Sequence, residues 1–322
     1  MNLFTKISLI VAASLVGLGI ILFLIGAGAL RFNFLAFDTR NFQTNTHEVS
    51  ESFESLSIVS DTARIQILPA EGETAKVVCV EYEKESHAVS VEDGTLTIRL
   101  VDTRKWYDCI SFFSYKAPSL TVYLPAGEYA ALTVDTHTGD LQIAKDFKFA
   151  SADITLTTGD VKTYASVSDL LKIKTSTGDI HVENLSVGAL DLSVTTGKVT
   201  VSGVSCDGDV SLTVSTGKAS LSDLTCQNLS STGRTGDLTM TNVIAKGRFD
   251  IERSTGDVTF EKCDAAELSV KTDTGSVRGT LLSEKIFMTH TDTGKIDTPE
   301  TISGGVCKIT TDTGDIKIRI QP

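Results

Sequence analysis

Residues 171–182, LKIKTSTGDIHV, residues 190–201, LDLSVTTGKVTV, and residues 210–221, VSLTVSTGKASL, are three copies of one pattern. In each, apolar residues at every second position run up to a Thr-Gly pair and resume two residues beyond it. Alternation with a period of two marks strands that bury one face. The unit is therefore strand, tight turn, strand.

Working outward from these copies, the Thr-Gly pair recurs ten times: Thr138-Gly139, Thr158-Gly159, Thr177-Gly178, Thr196-Gly197, Thr216-Gly217, Thr235-Gly236, Thr255-Gly256, Thr274-Gly275, Thr293-Gly294 and Thr313-Gly314. Successive glycines lie 19 or 20 residues apart, with no exception. Such a period is too short for a propeller blade, and the absence of a 3.6-residue pattern excludes helical and leucine-rich repeats. Because every copy carries the same signature at the same offset, like positions must stack on like. The reading is an all-β chain, a parallel β-solenoid of about ten coils. At about 3.3 Å per residue a coil has a contour near 64 Å, and ten coils at ~4.8 Å make a rod of about 48 Å.

The repeated residues are read as structural turn positions. Threonine suits the pleat, and its stacked hydroxyls can form a hydrogen-bonded ladder. Glycine supplies a positive φ. The next residue is Asp at 140, 160, 179, 237, 257 and 315 but Lys at 198, 218 and 295, which predicts a solvated turn and not a shared catalytic row. The register extends back to LSIVSDTARIQIL (56–68), where Ala63 takes the glycine position of a degenerate first coil. Residues 49–130 are then that coil plus an inserted β region, with strands at 76–82, 95–100 and 119–124, and residues 131–322 are the repeat solenoid.

Ahead of the repeats, residues 7–30 (ISLIVAASLVGLGIILFLIGAGAL) hold 24 residues without a charge. As a helix they would cover roughly 36 Å, more than a ~30 Å hydrocarbon core. A cleaved signal is the competing reading, but its apolar region is usually only ~7–15 residues, so an uncleaved single-pass anchor is expected. Residues 1–6 would be cytoplasmic, 31–48 a linker with Phe32, Phe34, Phe37 and Phe42 as an interfacial belt, and the body would lie outside the cell membrane. Ala13 and Gly17 have the spacing of a helix-packing face, which is also common composition for a span.

Charge and composition remove several classes of function. Lys+Arg total 29 against Asp+Glu 41, a net charge of −12, and no basic run exists, so no nucleic-acid partner is expected. The six cysteines (Cys79, Cys109, Cys206, Cys226, Cys263, Cys307) show no metal-ligand spacing, and no cofactor fingerprint is present. Cys206 and Cys226 would stack one coil apart, where a disulfide and a column of small buried side chains are both open readings, the second favoured. The triplets Asp273-Thr274-Gly275, Asp292-Thr293-Gly294 and Asp312-Thr313-Gly314 match the aspartic-protease signature, but they are the repeat itself, and that chemistry needs two lobes sharing one cleft. The same aspartates could hold calcium, although the calcium-binding nonapeptide is absent and solvated turns are the simpler reading. Five scattered histidines have no partner inferable from spacing.

The apolar segment followed by EDGTLTIRL (92–100), RKWY (104–107), PSLTVYLP (118–125) and serial TGD coils resembles the bacterial putative-adhesin family of β-strand-repeat proteins, a domain of unknown function, over residues 45–320. That resemblance implies a cell-envelope β-solenoid, with some relatives tied to envelope-stress responses, and it carries over no catalytic residues. A non-catalytic surface module for binding, adhesion or sensing follows, with an envelope protein or glycan as its partner. The alternative is a polysaccharide-active enzyme, since parallel β-helices host such chemistry. Unbroken spacings of 19 or 20 leave no room for loops to wall a cleft. Finally, DIKIRIQP follows the tenth turn, so Lys317, Arg319 and Pro322 are expected to guard an exposed edge. Ile316, Ile318 and Ile320 would offer that edge's inner face to a second copy or a partner strand.

Overall fold

The computed structural model describes residues 3–29, 42–105 and 117–321. The helix Leu3–Ala29 contains an apolar stretch, Thr5–Gly26, long and apolar enough to cross a membrane. Leu30, Arg31, Phe32, Phe34, Phe37, Asp38, Arg40, most of the aromatic segment 104–115 with Cys109, and Pro322 lie outside the described residues.

Beyond the helix the described residues form a β-solenoid of parallel coils, finished at one end by antiparallel strands. The Gly178 coil shows the local logic: Leu171, Ile173 and Thr175 are buried on the approach to the turn, and Ile180, Val182, Leu185 and Val187 are buried beyond it. Parallel pairing repeats this register, Leu171 facing Leu190, then Val210, Leu229 and Phe249. The approach strands thus contribute three interior columns. The first two are filled mostly by Leu, Ile, Val and Phe, whereas the third, three residues before each glycine, varies. It holds Ser60, Thr136, Leu156, Thr175, Val194, Val214, Gly233, Arg253, Thr272 and Thr311.

A second corner, absent from the sequence reading, lies six residues after the glycine. Asn184, Gly203, Asp223, Asn242 and Lys262 have φ between 49° and 63° there. Asn, Asp and Gly are the residues that enter this left-handed region at least cost. Asn242 Nδ2 donates to Asp223 Oδ1 of the coil below at 2.7 Å, linking the corners.

Both ends depart from chain order. At the first, the strands Ser55–Thr62 and Arg64–Pro69 form the coil centred on Ala63, and the inserted region returns to its outer side. Thr95–Asp102 pairs parallel with Ser55–Thr62, placing Leu96 against Leu56, while Ser119–Leu124 pairs parallel with Arg64–Pro69. The insertion thereby builds a further level of the rod. Antiparallel strands finish this end: Glu85–Glu92 on Thr95–Asp102, Ala75–Tyr82 on Ser119–Leu124, and Phe42–Val49 on Ala75–Tyr82. Residues 42–48, read as part of a linker, thus belong to an edge strand, Phe42–Val49.

At the other end the last two coils exchange places. Gly305–Thr313 pairs with Glu267–Thr274 on one side and with Lys285–Thr293 on the other, and Ile316–Ile320 lies between Val277–Leu281 and Ile296–Asp297. The expected exposed edge at residues 316–320 is therefore corrected: the outermost coil is 285–297. Arg319 is not a free edge guard, because Nη1 and Nη2 bind both carboxylate oxygens of Asp297, the Nη1–Oδ1 distance being 2.9 Å. The outermost coil turns half-buried Phe287, Thr289 and Thr291 inward, so its open side is partly polar where the other coils are apolar.

Candidate functional site

Three constellations stand out from this regular background. The first is the turn column. At nine of the ten glycines φ lies between 127° and 158°, with Gly294 in the outermost coil the exception. A Cβ on any of the ten would fall 1.8–2.2 Å from the carbonyl oxygen of the residue stacked beneath, which for Gly139 is Ala63 and for the rest another turn glycine. Two separate demands exclude side chains here.

The threonines stack in register, yet among the described residues their hydroxyls do not bond to one another. The bonded hydroxyls sit two residues earlier, in the third interior column: Thr311 Oγ1 donates to Gly275 O and Thr291 Oγ1 to Gly314 O, both at 3.0 Å. The turn aspartates are more than solvated groups. Asp160 Oδ1 accepts from the Asp179 amide at 2.8 Å, Asp179 Oδ1 from the Lys198 amide at 2.7 Å, and Asp257 Oδ1 from the Ser276 amide at 2.8 Å. Lysines at 198 and 218 interrupt this ladder, and Lys218 Nζ instead lies 3.2 Å from Asp237. The amide of Asp257, followed by Lys218, holds the Asp237 carboxyl below the usual carboxylate range.

The second constellation is a break in the core. In the Gly236 coil the inner residues after Leu229 are Ser231 and Gly233, and directly above Gly233 stands Arg253. A Cβ at Gly233 would come within 2.3 Å of Arg253 Nη1, so the missing side chain is what admits the guanidinium. Arg253 is only 4% exposed. It donates from Nη2 to Ser231 Oγ at 2.7 Å, its Nε has no partner, and no carboxylate pairs with it among the described residues. Burial pulls its pKa down to about 10. Gly233 and Arg253 line an open pocket of about 330 Å³ rimmed by Thr213, Thr232, Arg234, Glu252, Ser254, Lys271 and Asp273.

The third lies at the first end, inside the antiparallel strands. His87 Nε2 is 3.1 Å from Ser60 Oγ, and His87 Nδ1 is 2.7 Å from Glu81 Oε2. The order serine, imidazole, carboxylate matches a nucleophilic triad. Ser60 and His87 are each 5% exposed, however, and Glu81 1%, so an acyl group could not reach the hydroxyl without opening the rod's end. Asn45 Nδ2 donates to Glu81 Oε1 at 2.6 Å and the His87 amide to Oε2 at 2.8 Å, so the buried carboxylate is fully hydrogen-bonded. Cys79 Sγ belongs to the same cluster: it lies within 4.8 Å of the Glu81 and His87 ligand atoms. Burial, with the Glu81 charge second, raises its pKa to about 12. The sequence hides this group because its members come from four strands whose pairing no period announces. Elsewhere Cys206, Cys226, Cys263 and Cys307 are buried free thiols, so the Cys206–Cys226 stack is unbridged.

Comparison with known proteins adds the following. No protein of curated function matches the chain. Among solved structures, a putative adhesin from Bacteroides fragilis NCTC 9343 is 14% identical with a TM-score of 0.41, and one from Parabacteroides distasonis ATCC 8503 is 12% identical with a TM-score of 0.42. Each match covers 87% of this chain and 98% of that one. A putative lipid binding protein from Parabacteroides distasonis ATCC 8503 is 13% identical with a TM-score of 0.34 and the same coverage. At these values the likenesses carry nothing toward function. The family comparison does reach a result, since the Toastrack DUF4097 model matches residues 53–213 and 205–322, and the chain belongs to that family.

Proposed function

We propose that this protein is a membrane-anchored, extracytoplasmic, non-catalytic binding module that takes an anionic group of an envelope polymer, carboxylate or phosphodiester, in the pocket over Gly233. One observation carries the reading: a core that is apolar over most of its length gives up two apolar side chains, at Ser231 and Gly233, to bury a guanidinium that has no counter-ion among the described residues. Burying an unpaired charge costs several kcal/mol, so a fold that retains one invites an anion to complete it. On the rim Arg234 and Lys271 offset Glu252 and Asp273, leaving Arg253 as the excess positive charge, and Thr213, Thr232 and Ser254 add hydroxyls suited to a saccharide. The overall charge of −12 does not oppose this at physiological salt, where the screening length is about 8 Å. The apolar helix and the export expected of a long β body support the anchored topology. A polysaccharide-active enzyme is the weaker reading, because Ser60 is closed to substrate.

Protoplasts producing the full chain test both halves. Labelled polygalacturonate and a polyglycerol phosphate are offered to intact and to opened cells, with Arg253→Met as control. Binding of either polymer to intact cells, lost in the variant, is expected. Binding only after opening would overturn the topology, and binding of neither polymer, or equal binding by the variant, would overturn the ligand class.

A further inference from the structure

The buried cluster at the first end of the rod is unrelated to that pocket and has its own chemistry. Cys79 and Glu81 are two apart on the inward face of Ala75–Tyr82, and His87 comes from the adjoining Glu85–Glu92. Thiol, carboxylate and imidazole are three donor types of tetrahedral zinc sites, and no pair of their ligand atoms is more than 4.8 Å apart. Around zinc such atoms stand roughly 3.3–3.8 Å from one another, so rotamer-scale adjustment closes the set.

Supporting groups are already in place. Ser60 Oγ lies 3.1 Å from His87 Nε2 and can accept its proton, which leaves Nδ1 as the ligating nitrogen, while Asn45 holds the far oxygen of Glu81. Outer contacts of this kind orient metal ligands. His47, opposite Val77 on the neighbouring strand, stands one pair beyond Cys79 and outside the set of ligand atoms that lie within 4.8 Å of one another.

We infer that Cys79, Glu81 and His87 form a binding site for a divalent transition metal of the zinc type that ties the strands capping the rod. Binding releases the Cys79 thiol proton to solvent and takes His87 as the neutral imidazole with its hydrogen on Nε2, facing Ser60 Oγ.

The experiment is a titration of the purified, metal-stripped full chain in detergent with Co²⁺, followed by Zn²⁺. One equivalent of Co²⁺ should produce a thiolate-to-cobalt charge-transfer absorption that Zn²⁺ abolishes, and Cys79→Ser should lose that band while keeping its far-ultraviolet circular dichroism. Ser60→Ala should weaken affinity about 10–100-fold with the band retained. Absence of the band at one equivalent, or its persistence in Cys79→Ser, overturns the site. Should Cys79→Ser not fold, an affinity unchanged in Ser60→Ala overturns it equally.

Discussion

Gly197 shows how one residue can answer to two constraints. Its φ of 153° strains any side chain, at about 1–3 kcal/mol. A Cβ would also meet Gly178 O at 2.0 Å, a contact that eases only if two coils separate. Gly197→Val is therefore expected to lose more than about 4 kcal/mol. Lys198→Asp next to it should stay within about 0.5 kcal/mol of wild type, since a carboxylate there can accept from the Lys218 amide as Asp179 does from Lys198. Urea denaturation of the two variants checks this, and equal midpoints would contradict it. The need for positive φ was legible in the Thr-Gly repeat. The carbonyl contact was not, because it arises between coils. The corner at Asn184, Gly203, Asp223 and Asn242 was legible in principle from its residue types, but Lys262 at the same position blurs the signal.

Single strands carry the departures from the repeat. In LSSTGRT the alternation lapses, and a search for period two passes over that coil without a reason. The reason is three-dimensional: the vacancy at Gly233 belongs with Arg253 one coil later, and a volume lost on one strand and gained on another is not a feature of either segment alone. Removing the buried cation with Arg253→Met, which leaves Gly233 clear of the Val214 carbonyl that a Cβ there would meet at 2.8 Å, should raise stability by about 1–4 kcal/mol, as replacement of buried ionic groups often does. The sign is constant across neutral pH. Burial holds the Arg253 pKa at about 10, below the ordinary guanidinium value, so burial of the cation opposes folding at every pH below about 10 and is relieved only as pH rises beyond it. Thermal melting at pH 7 reads the gain, and a lower melting temperature in the variant would show that the guanidinium is internally compensated. The same variant should lose polymer binding, which separates stability from function.

Across the whole molecule, class and architecture were plain in the spacing of ten glycines, but the order of the coils was not. Identical repeats specify that like stacks on like without specifying which copy comes next, so DIKIRIQP reads as an end when it is an interior level. Among the described residues Lys285–Thr293 has a partner strand on one side only, whereas Gly305–Thr313 has one on each. Hydrogen exchange should therefore run against chain order, with amides of 305–313 protected longer than those of 285–293. Faster exchange in 305–313 would reject the swapped stacking.

That swap, with its counterpart at the opposite end, also bears on how the chain acquires its shape. Between Gly139 and Gly275 every level is completed by the next 19 or 20 residues to be made, a short loop closure repeated many times. At the ends the contacts are far less local: Leu56 must wait for Leu132, and Leu268 must pass over Phe287 to find Cys307. Because closure entropy has to be spent before non-local pairing repays it, the central coils form the nucleus and the two closures dock last, making them the slow steps of folding.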